Sequence, residues 1–306
     1  MADRDERAAQ VRRGLAYAGL GVFLFSATLP FTKMALRGYT APMIGLGRAA
    51  IAGVVAAVAL RFAGRRRPPE GTVPALLRTA LGVVVGFPLL MTTALRSTTA
   101  AHAAVVIAAL PIATAVLGVL RGDERPSVWF WVAAAAGAVT VALVAITRGG
   151  ADGASATADV LLLGAVGAAA FGYTEGAFLT RRMPGWQVVS WALVLSLPLT
   201  LTVVAFELPR SLRTLHPDAS ATVGLLYVAL VSMYAGFFAW YRGLADAGIA
   251  RASQVQVLQP VMTLGWTLAL LPEPIPASTA AAAVLVVAAA IWAQRTRVTT
   301  IAPPEG

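Results

Sequence analysis

The sequence predicts an all-α integral membrane protein with ten transmembrane helices in two inverted five-helix repeats. Three observations lead there. Apolar residues fill 58% of the 306 positions and charged ones only 12%, about half the roughly 25% of globular proteins. The apolar residues fall into ten runs near the length that crosses a hydrocarbon core. The chain also overlays part of itself when shifted by 149 residues.

The runs are approximately Gly14–Leu36, Pro42–Phe62, Thr79–Leu95, Ala100–Leu120, Val128–Ile146, Val160–Leu179, Gln187–Phe206, Thr222–Tyr241, Ile249–Leu271 and Ala277–Ala293. They are called spans 1 to 10. Each is continuously apolar, whereas a barrel strand alternates with period two. Connectors are short, and no soluble domain fits between spans. The expected organisation is a cytoplasmic segment 1–13, a first repeat 14–148, a linker loop 149–158, a second repeat 159–294 and a cytoplasmic tail 295–306.

Cations set the orientation, because arginine and lysine concentrate on the cytoplasmic side. With ten spans both termini share one side. That side collects seventeen of the 24 cations, against six on the other, and Arg48 lies inside span 2. Both termini are therefore expected in the cytoplasm, with the chain in a bacterial cytoplasmic (inner) membrane. The net charge of +10 reads as anchoring to anionic lipid headgroups rather than as a nucleic-acid surface. There are no cysteines and two histidines, so no metal site and no cofactor are expected.

The 149-residue shift pairs Pro111 with Pro260, Thr114 with Thr263 and Glu124 with Glu273. Each pair sits at the same place near the fourth span of a half. Five is odd, so the second half enters the membrane from the opposite face. Such halves can exchange conformations and open a midplane site to either side.

The chain resembles the drug/metabolite transporter superfamily, of the EamA type. The resemblance rests on Phe25, Ser26 and Lys33 in span 1, Arg48 in span 2, and Ala94–Leu95 and Ala100–Ala101 leading into span 4. Leu110–Pro111 with Gly122 and Glu124, then Pro260 with Glu273, complete it. The family often has Trp-Gly where this chain has Phe25–Ser26. The resemblance implies ten helices, two inverted halves, and export or exchange of small organic metabolites.

Polar groups inside the spans are the candidate site. Gln254, Gln256 and Gln259 precede the kink at Pro260, which frees the Gln256 carbonyl. Amides in a membrane need partners from another helix or a cavity. Arg48 suits a two-pronged contact with a carboxylate; its alternative reading is structural. Tyr173, Tyr234 and Trp266 lie deep enough to face a cavity, while Trp240 and Tyr241 read as an aromatic belt. Glu175 and His102 are the proton-coupling candidates. The alternatives are a Glu175 pair with Arg181 or Arg182, and an interfacial His102. Pro111 and Pro260 are candidate hinges. Paired glycines, Gly82 with Gly86 and Gly172 with Gly176, allow close helix approach. No catalytic residues are expected. His216 with Asp218 is the one loop pair, and no nucleophile accompanies it.

The function expected is a secondary transporter exporting small amphipathic metabolites, such as amino acids, by alternating access. Export of drugs or toxic compounds, and a structural or sensory protein without transport, are the alternatives. Partners are the small-molecule substrate and membrane lipids, with no nucleic acid. The oligomeric state is open, and a monomer is compatible with the sequence.

Overall fold

The computed structural model describes residues 2–121, 128–129, 131–132, 135–136, 139, 156–247, 255–272 and 275–295. These residues are helical with short connectors and contain no strand. In lipid every backbone N–H and C=O must bond within the segment, which leaves the helix as the form for continuously apolar runs. Seven helices are long and apolar enough to cross a membrane: 6–35, 41–62, 73–94, 100–118, 156–179, 185–214 and 219–247. They correspond to spans 1–4 and 6–8. Helices follow at Gln259–Leu270, within span 9, and at Ala277–Arg295, which covers span 10 and includes the shorter apolar stretch 277–289. Most of span 5 lies outside the described residues, as do Gln254, Glu124 and Glu273.

Helix starts are marked by capping side chains. Thr40 accepts a bond from the Met43 N–H, with Pro42 in the first turn of span 2. Thr99 accepts from the His102 N–H at 3.1 Å, and Asp218 from the Ala221 N–H at 2.7 Å. Each satisfies an N–H group that the first helical turn leaves open.

Several boundaries differ from the sequence expectation. The span 7 helix runs from Gly185 to Thr214, through Pro198 and Pro209, so the expected loop after Phe206 begins as helix. Span 3 is helical from Val73, six residues earlier than expected. Helix also precedes span 1 from Ala2.

Span 1 breaks at Ala27, between helices Ala2–Ser26 and Thr28–Ala35. Its carbonyls near the break acquire partners from other spans. Tyr227 donates its hydroxyl to the Leu24 carbonyl at 3.1 Å. Thr263 donates to the Ser26 carbonyl at 2.7 Å, and the Trp266 indole N–H donates to the Ser26 hydroxyl at 3.1 Å. The break is therefore held by spans 8 and 9.

Irregular helix recurs at places related by the 149-residue shift. Span 3 carries a wide π-helical segment at Ala80–Gly86, and span 8 carries one at Tyr227–Ala235. A shift of 149 residues maps Gly86 onto Ala235. In span 4 a turn at Ala108–Ala109 precedes the helix starting at Leu110. In span 9 a tight 3₁₀ turn at Gln256–Leu258 precedes the helix starting at Gln259. The same shift maps Leu110 onto Gln259. Wide turns inside α-helices concentrate at functional sites, because they leave the regular ladder incomplete.

Two close crossings fix the bundle. A Cβ on Gly82 would lie 2.6 Å from the Gly172 Cα, so spans 3 and 6 touch backbone to backbone. A Cβ on Gly243 would lie 2.6 Å from the Ala18 nitrogen, which brings span 8 equally close to span 1.

Candidate functional site

The ends of spans 1, 3, 7 and 9 and the start of span 2 meet at one end of the bundle. It is called the outer end, after the orientation expected from the cation count. Below it the centre is nearly closed. Two adjoining cavities, each with about 20 Å³ of free volume, sit between the spans. That is room for about one water each.

The first cavity holds Arg48 and Tyr173, with Thr28, Ser232 and Gln259 on its wall. Arg48 is 2% exposed, and its Nε and Nη1 have no hydrogen-bond partner. A guanidinium in this setting has lost its water without gaining a counter-charge, an arrangement that costs several kcal/mol. Thr28 and Ser232 share a 2.7 Å hydrogen bond across spans 1 and 8. Phe25, Phe87, Met91 and Phe237 supply the apolar part of the lining. The cavity thus offers one cation, several neutral polar groups and an aromatic wall, a surface suited to an amphipathic anion or zwitterion.

The second cavity holds both candidate hinges. Pro111 and Pro260 line it together with Ile107, Leu110, Gln256 and Gln259. The 149-residue shift relates these as Ile107 to Gln256, Leu110 to Gln259, and Pro111 to Pro260. Positions related by the shift therefore meet here, Ile107 and Leu110 apolar in span 4 and Gln256 and Gln259 amides in span 9. Gln256 is 2% exposed, and neither its amide oxygen nor its nitrogen has a partner. A buried amide without partners is costly in a protein interior. Gln259, Leu29, Ile107 and Leu110 line both cavities and join them.

Other candidates lie elsewhere. The Tyr234 hydroxyl and the Ser190 hydroxyl are 3.1 Å apart, and the Tyr234 ring faces a separate groove with Trp186 and Phe238. Trp266 is held against span 1 through Ser26 and stacks edge-on with Phe23, with ring centroids 5.6 Å apart. Neither lines the two central cavities. Trp240 and Tyr241 are completely buried rather than in a belt. The helix runs on to Ala247, which sets both residues well inside the bundle. With Phe25, Tyr173 and Phe237 they form an aromatic cluster; the Phe25 and Phe237 centroids lie 5.0 Å apart.

Both acid–base candidates sit in pairs with residues not singled out from sequence. Glu175 accepts from Arg78 Nε at 2.6 Å, and this cross-span partner stands where Arg181 or Arg182 was expected. His102 lies 2.6 Å through Nε2 from Asp159, and both groups are buried inside the bundle. Arg78 is one of the seventeen cations counted on the cytoplasmic side, and Asp159 immediately precedes span 6. No sequence signal pairs them, because both contacts join spans that are not neighbours in the chain.

The comparisons with known proteins agree with this architecture. The sequence model of the EamA-like transporter family matches the chain twice, over residues 12–146 and 156–294. The chain is 46% identical over 245 residues to a Bacillus subtilis (strain 168) protein named uncharacterized transporter YdeK. That match spans 80% of this chain and 84% of the relative. It is 24% identical over 249 residues to a probable terminal-alkyne amino-acid exporter of Streptantibioticus cattleyicolor, covering 80% and 81%. A solved crystal structure superposes on 90% of this chain and 95% of its own with a TM-score of 0.60. At 18% identity it speaks for the fold alone. From the twofold family match and the membrane-spanning helices, the chain belongs to the EamA-like transporter family.

Proposed function

We propose that this protein is a secondary carrier that exports small amphipathic metabolites bearing a carboxylate, amino acids among them, by alternating access. The observation that carries the reading is the buried Arg48 guanidinium, its Nε and Nη1 unpartnered at the wall of an interhelical cavity. A substrate carboxylate is the partner this group lacks, and a guanidinium takes it with two parallel N–H bonds. Tyr173, Ser232, Thr28 and Gln259 then meet the remaining polar groups, and the Phe/Met wall meets the apolar part. Export of more apolar toxic compounds is the runner-up, favoured by that same wall.

The proposed frame is ten helices in two inverted halves with both termini in the cytoplasm. The paired irregularities of spans 3 and 8 and of spans 4 and 9 support it. So does the meeting of equivalent residues across the proline cavity. The central cavities are closed to a metabolite in this conformation. Opening requires the spans to part, and the kinks at Pro111 and Pro260 are the proposed bending points. Glu175 and His102 are the proposed proton carriers, and each must part from Arg78 or Asp159 in the cycle. The amino-acid exporter among the relatives supports the substrate class.

Purified protein in liposomes tests the reading. Preloaded zwitterionic amino acids with apolar side chains are expected to leave the vesicles. Arg48→Lys is expected to raise the half-saturating concentration by roughly tenfold to a hundredfold, the worth of one charge-assisted hydrogen bond. A protonophore reports whether flux is proton-coupled. No flux across such a panel contradicts the reading, and unchanged affinity in Arg48→Lys removes Arg48 from the site.

A further inference from the structure

We propose that the outer vestibule is a second anion site, a staging site for small organic carboxylates separate from the cavity at Arg48. The opening has a volume of about 690 Å³, within the range of small-molecule pockets. Lys33, Arg37, Arg96 and Arg210 line it. In the proposed orientation only six cations lie on the outer side, Arg148 and Arg213 being the other two. Four of six converging on one opening is not the pattern of topology anchors, which need only reach the headgroups around the perimeter.

The wall carries little opposing charge. Glu207 is the acid on it among the described residues. Its carboxylate accepts from the Thr40 hydroxyl at 2.5 Å and lies 3.6 Å from Arg210. Arg37 and Arg96 form no ion pair among the described residues and are exposed at the rim. Glu273 follows the lining residue Pro272 and lies outside the described residues; counting it leaves the vestibule two positive charges in excess. A concave opening lined by one sign of charge concentrates the opposite ion and speeds its arrival.

The vestibule lies directly over the cavity. On span 2, Ala41 lines the former and Arg48 the latter, about 10 Å apart at 1.5 Å per residue. On span 3 the corresponding pair is Leu95 and Met91, one turn apart. A carboxylate released from Arg48 toward the outside meets this cluster next. That place on the path rests on the proposed function; the binding itself does not.

The chain has no cysteine, so a single Thr214→Cys on the vestibule wall is a clean reporter. Its labelling rate is measured in nanodiscs of neutral phosphatidylcholine with an anionic and a cationic methanethiosulfonate. Each rate is normalised to reaction with a free thiol. The anionic reagent is expected to be favoured roughly tenfold at low ionic strength. Citrate is expected to slow labelling saturably, beyond chloride at matched ionic strength. The preference is expected to collapse in Arg96→Gln/Arg210→Gln and to fall in Arg37→Gln alone, which guards against poor folding of the double variant. Arg48→Met is expected to leave all of this unchanged, so failure here is distinct from failure of the cavity reading. Equal normalised rates, or citrate acting only as chloride does, overturn the proposal. Loss of the citrate effect when phosphatidylglycerol is added also overturns it and assigns the cluster to a lipid headgroup.

Discussion

Pro111 and Pro260 stand 149 residues apart in sequence and line the same cavity, each at the second residue of the helix that resumes its span. Neither ring carries an N–H, so Ile107 and Gln256 lose the fourth-residue donors of the regular ladder, and the Gln256 carbonyl accepts the Gln259 N–H instead. Replacing either proline by alanine restores that donor. Pro111→Ala and Pro260→Ala are expected to raise the thermal midpoint in detergent by a few degrees and to lower liposome flux severalfold. A variant that gains stability and keeps full flux removes the hinge role of that proline.

Arg48 distinguishes a binding site from a structural post by its stability. A post that holds helix ends together unfolds the bundle when removed. A desolvated cation awaiting a ligand is a burden on the empty protein. Arg48→Met, similar in length and uncharged, is therefore expected to stabilise the substrate-free protein by about 1–4 kcal/mol, as replacing buried charge often does. Flux of carboxylates is expected to vanish in the same variant. Thermal unfolding in detergent checks the first half, and a large destabilisation contradicts it.

His102 and Asp159 tie span 4 to span 6 near the outer end, at 2.6 Å and out of contact with solvent. Removing one member leaves the other buried without its partner. Asp159→Ala and His102→Ala alone are each expected to cost about 3–5 kcal/mol. An apolar pair, His102→Leu with Asp159→Leu, is expected to recover most of that loss. A double-mutant cycle on thermal unfolding gives the coupling. Additive losses show that the two side chains act independently.

Glycine substitutions separate packing from mere composition. A Cβ on Gly82 meets backbone atoms of span 6 at 2.5–2.6 Å, where nothing flexible can yield. Gly82→Ala is expected to destabilise by about 1–3 kcal/mol through overpacking. A Cβ on Gly265 meets nothing within 4 Å. Gly265→Ala is expected to be neutral or stabilising by up to about 1 kcal/mol, the helix-propensity difference. Yield and thermal midpoint of the two variants check the contrast.

Hydropathy located most spans because each run needs a helix to satisfy its backbone in lipid. It did not locate their ends. Beyond Phe206, Glu207, Arg210 and Arg213 continue the helix past Pro209 to Thr214. Outside the hydrocarbon, water can satisfy the carbonyl that a proline leaves free, so the proline no longer enforces a stop. The wide turns of spans 3 and 8 were illegible, because no residue type marks them. Trp240 and Tyr241 read as a belt from their distance to the apparent span end, yet the helix extends beyond them and buries both. Of the site, Gln256, Gln259, Arg48 and Tyr173 were legible as polar groups where polarity is costly. Thr28, Ser232 and Asp159 were not, because small hydroxyls and a residue at a span boundary carry no such signal. Arg78 was the partner of Glu175 only once spans 3 and 6 were seen to touch.

Ser232→Cys tests the central claim most directly. The residue is buried at the cavity beside Thr28, and the rest of the chain is free of cysteine. A membrane-impermeant thiol reagent is applied to right-side-out and to inside-out vesicles. Labelling is predicted from both faces, with added substrate changing the two rates in opposite directions. Labelling from neither face, or from one face whatever is added, contradicts a cavity that opens to each side in turn.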